Sequence, residues 1–102
     1  MTKELKIAML GFGSAGKAFA KLLMDKHGEI LDKYKYDVKV VAIVTNSKGS
    51  MVDENGIDLK SALSDISNLN HFDEVRKGYS NLNSIEIAEK INYDVIMEFN
   101  TS

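Results

Sequence analysis

There is no cysteine, no proline and no tryptophan in this chain of 102 residues. Without cysteine there are no disulfides, no thiolate metal ligands and no thiol redox chemistry. Without proline no rigid linker is marked, and the length suits one domain, residues 1–102, without an internal boundary. An excess of one charge is lacking as well. The formal net charge is −2, which provides no electrostatic hold on nucleic acid or on an anionic membrane. No apolar run approaches the length that spans a bilayer, and Met1-Thr2-Lys3-Glu4 has no signal-peptide core behind it. A cytoplasmic location is therefore expected. Histidine is scarce: His27 and His71 stand far apart, with no carboxylate or cysteine at ligand spacing. Neither is expected to catalyse or to bind a metal, and Asp53-Glu54 reads as a solvated loop pair.

Glycine, by contrast, is concentrated where it matters. Gly11-Phe12-Gly13-Ser14-Ala15-Gly16 has glycine at its first, third and sixth positions and directly follows the apolar run Leu5-Lys6-Ile7-Ala8-Met9-Leu10. Between a strand and a helix this spacing is the signature of a dinucleotide-binding turn. Gly11 lets the chain turn sharply out of the strand, and Gly13 allows a pyrophosphate to approach the main chain. Gly16 lets the helix pack closely on the strand. The anion would then meet the unpaired N–H groups and positive dipole end of the helix. The alternative is a glycine turn that binds nothing.

Periodicity supplies the surroundings. Ala15, Ala18, Phe19, Leu22 and Leu23 recur at helical spacing, with Lys17 and Lys21 facing away, and Ser14 is the expected N-cap. Ile30, Leu31 and Tyr34 continue the stripe, so the helix runs past Gly28 or restarts after it. Val38–Val44 is rich in β-branched residues and completes a βαβ unit. Thr45 to Ser50 reads as a polar loop. Asp58 is expected to cap a helix bearing Leu59, Ala62, Leu63 and Ile66. Ser67 to Tyr79 reads as loop, with one helical turn around Phe72–Lys77. Asn83 and Glu86 form a capping-box pattern before Ile85, Ala88 and Ile91. Tyr93 to Phe99 reads as a third parallel strand. The expected class is α/β, a Rossmann-like parallel sheet of three or four strands with flanking helices. A full fold of this type has about six strands, so the sheet reads as incomplete at its C-terminal end, with an apolar edge.

The tip of the second strand distinguishes the cofactors, because an acidic residue there binds the ribose 2′-hydroxyl of NAD. Thr45, Asn46, Ser47 and Lys48 include no carboxylate, and all are donors to a 2′-phosphate. NADP is therefore the expected cofactor, with NAD possible. Glu98, near the end of the third strand, has no partner base in view and is not assigned a catalytic role.

Taken together, Lys6 to Lys17, Val40 to Ser50, Asn55 to Leu59 and the closing Tyr93 to Ser102 resemble homoserine dehydrogenase in its cofactor-binding part. That resemblance implies hydride transfer between a nicotinamide and L-homoserine or L-aspartate 4-semialdehyde, in amino-acid biosynthesis. It implies that Gly11, Phe12, Gly13, Ser14, Ala15 and Gly16 line the pyrophosphate. Thr45, Asn46, Ser47 and Lys48 would surround the adenosine ribose, and Asn100, Thr101 and Ser102 would approach the adenine or nicotinamide side. Asn100-Thr101-Ser102 departs from the family's usual Thr-Pro-Thr. The family's catalytic lysine and substrate-binding acids have no counterpart among these residues, so the chain alone is expected to be inactive. The amino-acid substrate would be bound by a further domain, through which the whole enzyme is expected to form a homodimer. Other readings are the cofactor domain of another amino-acid-pathway dehydrogenase, a free-standing dinucleotide sensor, or an interaction domain with a purely structural glycine loop.

Overall fold

Two long apolar strands make the centre of the molecule. In the computed structural model, which describes residues 2–99, β1 (Lys3–Leu10) pairs in parallel with β2 (Tyr36–Val44). Both are covered on two faces, which is why their inner halves are apolar with little alternation. The register slips by one residue between Ile7 and Ala8, so that Ile7 faces Val40 and Ala8 faces Ala42. The connection is α1 (Ser14–Tyr34), which passes through Gly28 without a break and closes on Lys35 in the left-handed conformation. The N-cap is Gly13 and not the expected Ser14, which falls in the first helical turn. The stripe is also rotated from the expected one. Gly16 and Ala20 are buried, Phe19 and Leu23 are partly buried, whereas Ala15, Ala18 and Leu22 are exposed.

After β2 the chain has only Thr45 to Gly49 before β3 (Ser50–Val52). A parallel return needs a crossover of about a dozen residues or more, so so short a loop can only reverse the chain. β3 accordingly pairs antiparallel with β2, and the expected loop Thr45–Ser50 ends one residue early, at Gly49. Asp58 caps α2 (Leu59–Leu69) as expected, accepting from the Ser61 amide and hydroxyl. The segment that follows forms turns and not the expected helical turn at Phe72–Lys77. It leads into β4 (Tyr79–Ser80), antiparallel to β3 and so running with β2 and β1. Asn83 and Glu86 make the reciprocal capping box of α3 (Ser84–Lys90). β5 (Val95–Glu98) then pairs in parallel with β1 and leaves Val95 and Ile96 exposed at the sheet's edge.

The sheet is five-stranded in the order β4-β3-β2-β1-β5, mixed in direction and not wholly parallel. Strand alternation divides the core. Ile7, Met9, Val40 and Ile43 pack with Phe12, Phe72, Ala20 of α1, and Ala62 and Ile66 of α2. Ala8, Ala42 and Val44 pack with Ile87 of α3 on the other face.

One charged pair secures the turn segment. Asp65 of α2 is buried, and its carboxylate accepts from Arg76 Nε at 2.6 Å and Nη2 at 2.5 Å, and from the Asp73 amide. The Arg76 hydrogen bond holds the Asp65 carboxyl below the usual carboxylate range. A depressed native pKa adds stability above the unfolded-state value, and that stability is lost as pH falls through the native one. Arg76→Met is therefore expected to lower stability at pH 7, and the gap from the parent should narrow below about pH 4. Urea unfolding at pH 7 and pH 3 checks this; a gap unchanged between them would refute it.

Candidate functional site

β1, β2 and β5 all end at one rim of the sheet, and the glycine turn lies at its centre. Gly11 adopts φ +106°, a conformation that a side chain would strain, and its amide donates to the Val44 carbonyl at 2.7 Å. That bond joins the turn to the tip of β2. On the other side the Phe99 amide donates to the Leu10 carbonyl, which brings the end of β5 beside the turn. Phe19 of α1 lies 5.2 Å from Phe99 between ring centroids.

The glycines differ in what surrounds them. A Cβ on Gly16 would lie 2.8 Å from the Gly11 carbonyl oxygen, so α1 rests against the backbone of the turn. A Cβ on Gly13 would meet nothing within 4 Å. The first intrahelical bond runs from Lys17 to the Gly13 carbonyl. The amides of Ser14, Ala15 and Gly16 therefore precede the helix's own hydrogen bonding, no side chain caps them, and the first turn holds no acidic residue. This is an open helix end suited to an anion. Phe12 contributes only main chain, since its side chain is buried against Phe72 at 5.6 Å between centroids.

The loop at the tip of β2 is internally tied. Thr45 Oγ1 donates to the Gly49 carbonyl at 2.6 Å and accepts from the Lys48 amide at 2.8 Å. Its hydroxyl hydrogen is thus spent on loop shape. Asn46 and Ser47 are exposed, and the Lys48 ammonium has no carboxylate partner among the described residues. The structure brings Gly11 to Gly16 and Thr45 to Lys48 together at the rim; Asn100, Thr101 and Ser102 lie outside the described residues. Glu98 is exposed at the end of β5.

Sequence reasoning missed a second strip at this rim. Because β4 runs with β2, its continuation through Asn81, Leu82 and Asn83 emerges beside the Thr45–Gly49 loop, and the two enclose a groove of about 330 Å3. A two-residue strand has no period to detect; Gly78 alone, at φ +94°, marked the turn before it. The histidines lie elsewhere. His27 Nε2 is 2.9 Å from Asp37 Oδ1, at the opposite end of the strands from the glycine turn. His71 donates from Nδ1 to the Phe72 carbonyl at 2.6 Å. Among the described residues there is no cluster of histidine, aspartate and glutamate that could hold a metal, and no helix long and apolar enough to cross a membrane.

No family model matches the chain. It is 33% identical over 98 residues to a homoserine dehydrogenase of Methanocaldococcus jannaschii, which covers 96% of this chain but 29% of that relative. The putative homoserine dehydrogenase of Archaeoglobus fulgidus superposes with a TM-score of 0.71 at 29% identity, over 90% of this chain and 26% of that one. A hyperthermophilic archaeal homoserine dehydrogenase in complex with NADPH superposes with a TM-score of 0.76 at 18% identity, over 97% and 29% respectively. The resemblance read from the sequence therefore holds over nearly the whole chain, and the Rossmann-like fold with it. The chain spans less than a third of these relatives' length.

The glycine geometry makes a prediction independent of any ligand. Gly16→Ala is expected to destabilise the protein by about 1–3 kcal/mol, because backbone cannot yield as a side chain would. Gly13→Ala is expected to leave the melting temperature within about 2 °C, having free space to enter. Thermal unfolding of the two variants decides it, and equal losses would contradict the packing described.

Proposed function

We propose that the chain, residues 1–102, is the cofactor-binding domain of a homoserine dehydrogenase and that it holds NADP in preference to NAD. The observation that carries this reading is the open space over Gly13 at an uncapped helix end, beside a strand tip without a carboxylate. Its residues fit such a group. The amides of Ser14, Ala15 and Gly16 would hold the pyrophosphate, with Gly11 and Phe12 supplying backbone shape only. Asn46, Ser47 and the Lys48 ammonium would meet the adenosine 2′-phosphate, and Thr45 would keep their loop in place. In the residue-by-residue resemblance Asn100, Thr101 and Ser102 would complete the adenine or nicotinamide side.

When bound, the nicotinamide would supply the hydride acceptor or donor for interconverting L-homoserine and L-aspartate 4-semialdehyde. This chain's own part is to bind and orient the dinucleotide. Among the described residues no side chain at the rim pairs a base with an acid, and we assign none of them a catalytic role. Substrate binding and proton transfer would fall to a further domain of the enzyme. The similarity to homoserine dehydrogenases, one solved with NADPH, supports the assignment. A cytoplasmic homodimer goes with it for the whole enzyme.

Calorimetric titration with NADP and NAD tests the reading. Saturable NADP binding at least about tenfold tighter than NAD, or 1.4 kcal/mol, is expected. Lys48→Glu is expected to weaken NADP much more than NAD, because a like charge then faces the 2′-phosphate. Gly13→Val is expected to abolish both. Equal losses for the two nucleotides in Lys48→Glu would sink the NADP preference, and no binding of either would sink the whole reading.

A further inference from the structure

The groove beside the β2 tip has two walls, and only the first belongs to the site assigned above. Resting on that dinucleotide reading, we propose that the Tyr79–Asn83 strip is the second wall of the adenosine subsite. In it the Asn81 side-chain amide donates to the 2′-phosphate, opposite Asn46 and Ser47.

The two walls are built as one unit. Ser50 Oγ donates to the Leu82 carbonyl at 3.0 Å, and the Phe72 amide donates to the Lys48 carbonyl at 2.9 Å. Gly49, at φ +84°, has the Tyr79 ring in the space a side chain would fill, with a Cβ falling 2.6 Å from Tyr79 Cε1. The loop and the strip therefore keep a set spacing, and a ligand entering between them meets preorganised partners. At about 330 Å3 the groove is at the small end of the range for ligand sites, as suits one end of a larger molecule.

Its chemistry favours an anion. None of the described residues lining it is acidic. The cavity on the other side of β3, about 420 Å3, is lined by Asp53 and Asp58 as well as Arg76 and Lys77, a mixed set with no preference for a dianion.

Elimination leaves two side-chain amides on this wall, those of Asn81 and Asn83, and Asn81 is the one not committed to a helix cap. The Thr45 hydroxyl hydrogen goes to Gly49, and that of Ser50 goes to Leu82. Asn83 has its Oδ1 held by the Glu86 amide in the capping box of α3, which uses none of its Nδ2 hydrogens. His71 gives its Nδ1 hydrogen to the Phe72 carbonyl, and its ring lies 6.0 Å from that of Tyr79 between centroids. Asn81 is exposed, and its Oδ1 accepts from the Tyr79 hydroxyl at 3.4 Å. That contact uses none of its Nδ2 hydrogens, which are available to phosphate oxygens.

The test titrates the protein and its variants with NADP, NAD and 2′,5′-ADP, with melting temperature as the folding control. Asn81→Asp places a negative charge on that wall and is expected to weaken NADP and 2′,5′-ADP by about tenfold while leaving NAD within about twofold. Asn81→Ala is expected to give a smaller loss with the same selectivity. Unchanged NADP affinity in both variants, while Lys48→Glu still loses NADP selectively, would overturn this proposal and leave the dinucleotide reading standing. Equal loss of NADP and NAD would overturn it too, by making Asn81 a structural residue. No binding of NADP or 2′,5′-ADP to the parent protein would overturn both.

Discussion

The backbone of Gly16 lies so near the carbonyl of Gly11 that no side chain fits between them, and much of the molecule follows from that contact. It brings the first turn of α1 directly onto the end of β1. The helix can then bury Ala20 against the sheet and place Phe19 and Leu23 along the core's margin. The Gly11 amide, bonded to Val44, passes the constraint to β2. Three consecutive elements are thereby held in one arrangement at one rim. The helix end stays uncapped because its cap residue is a glycine, so the geometry that permits close packing also leaves donors available.

A second constraint operates at the far side of the sheet. The short Thr45–Gly49 loop forces the chain back on itself, and β3 becomes antiparallel. A second reversal is then needed before the chain can cross under the sheet to β5. The Asp65–Arg76 pair holds the segment that makes it. A buried carboxylate is costly unless it is fully bonded, and this one takes two hydrogens from Arg76 and one from the Asp73 amide. The outcome is that β4 runs with β2 and delivers Tyr79 to Asn83 to the rim that holds the glycine turn.

Much of this was legible in the residues. The Asp58 cap and the Asn83–Glu86 capping box depend on contacts within a few positions of each other, and the glycine turn, β1 and β2 are marked by residue types at short spacing. The antiparallel hairpin was legible in principle, since five loop residues cannot make a crossover, although the polar run hid the strand that followed. The helix stripe was misjudged for a physical reason. Leu22 and Ala18 satisfy helical spacing as well as Leu23 and Gly16 do, and only the close approach at Gly16 fixes which side of α1 faces the sheet. That approach exposes Leu22 at 53%.

What the sequence by itself determined was the chemistry of the site: an anion-tolerant glycine turn after a buried strand, and a β2 tip with donors and no carboxylate. Those properties belong to residue types at short spacing and need no partner from elsewhere in the chain. Only the tertiary structure decided which donors remain free. Thr45 is spent on its own loop, Ser50 on the Leu82 carbonyl 32 positions away, and Asn81 is left facing the same groove as Asn46 and Ser47. Such availability is a property of hydrogen-bond partners, and long-range partners are set by how the strands are ordered and directed in the sheet.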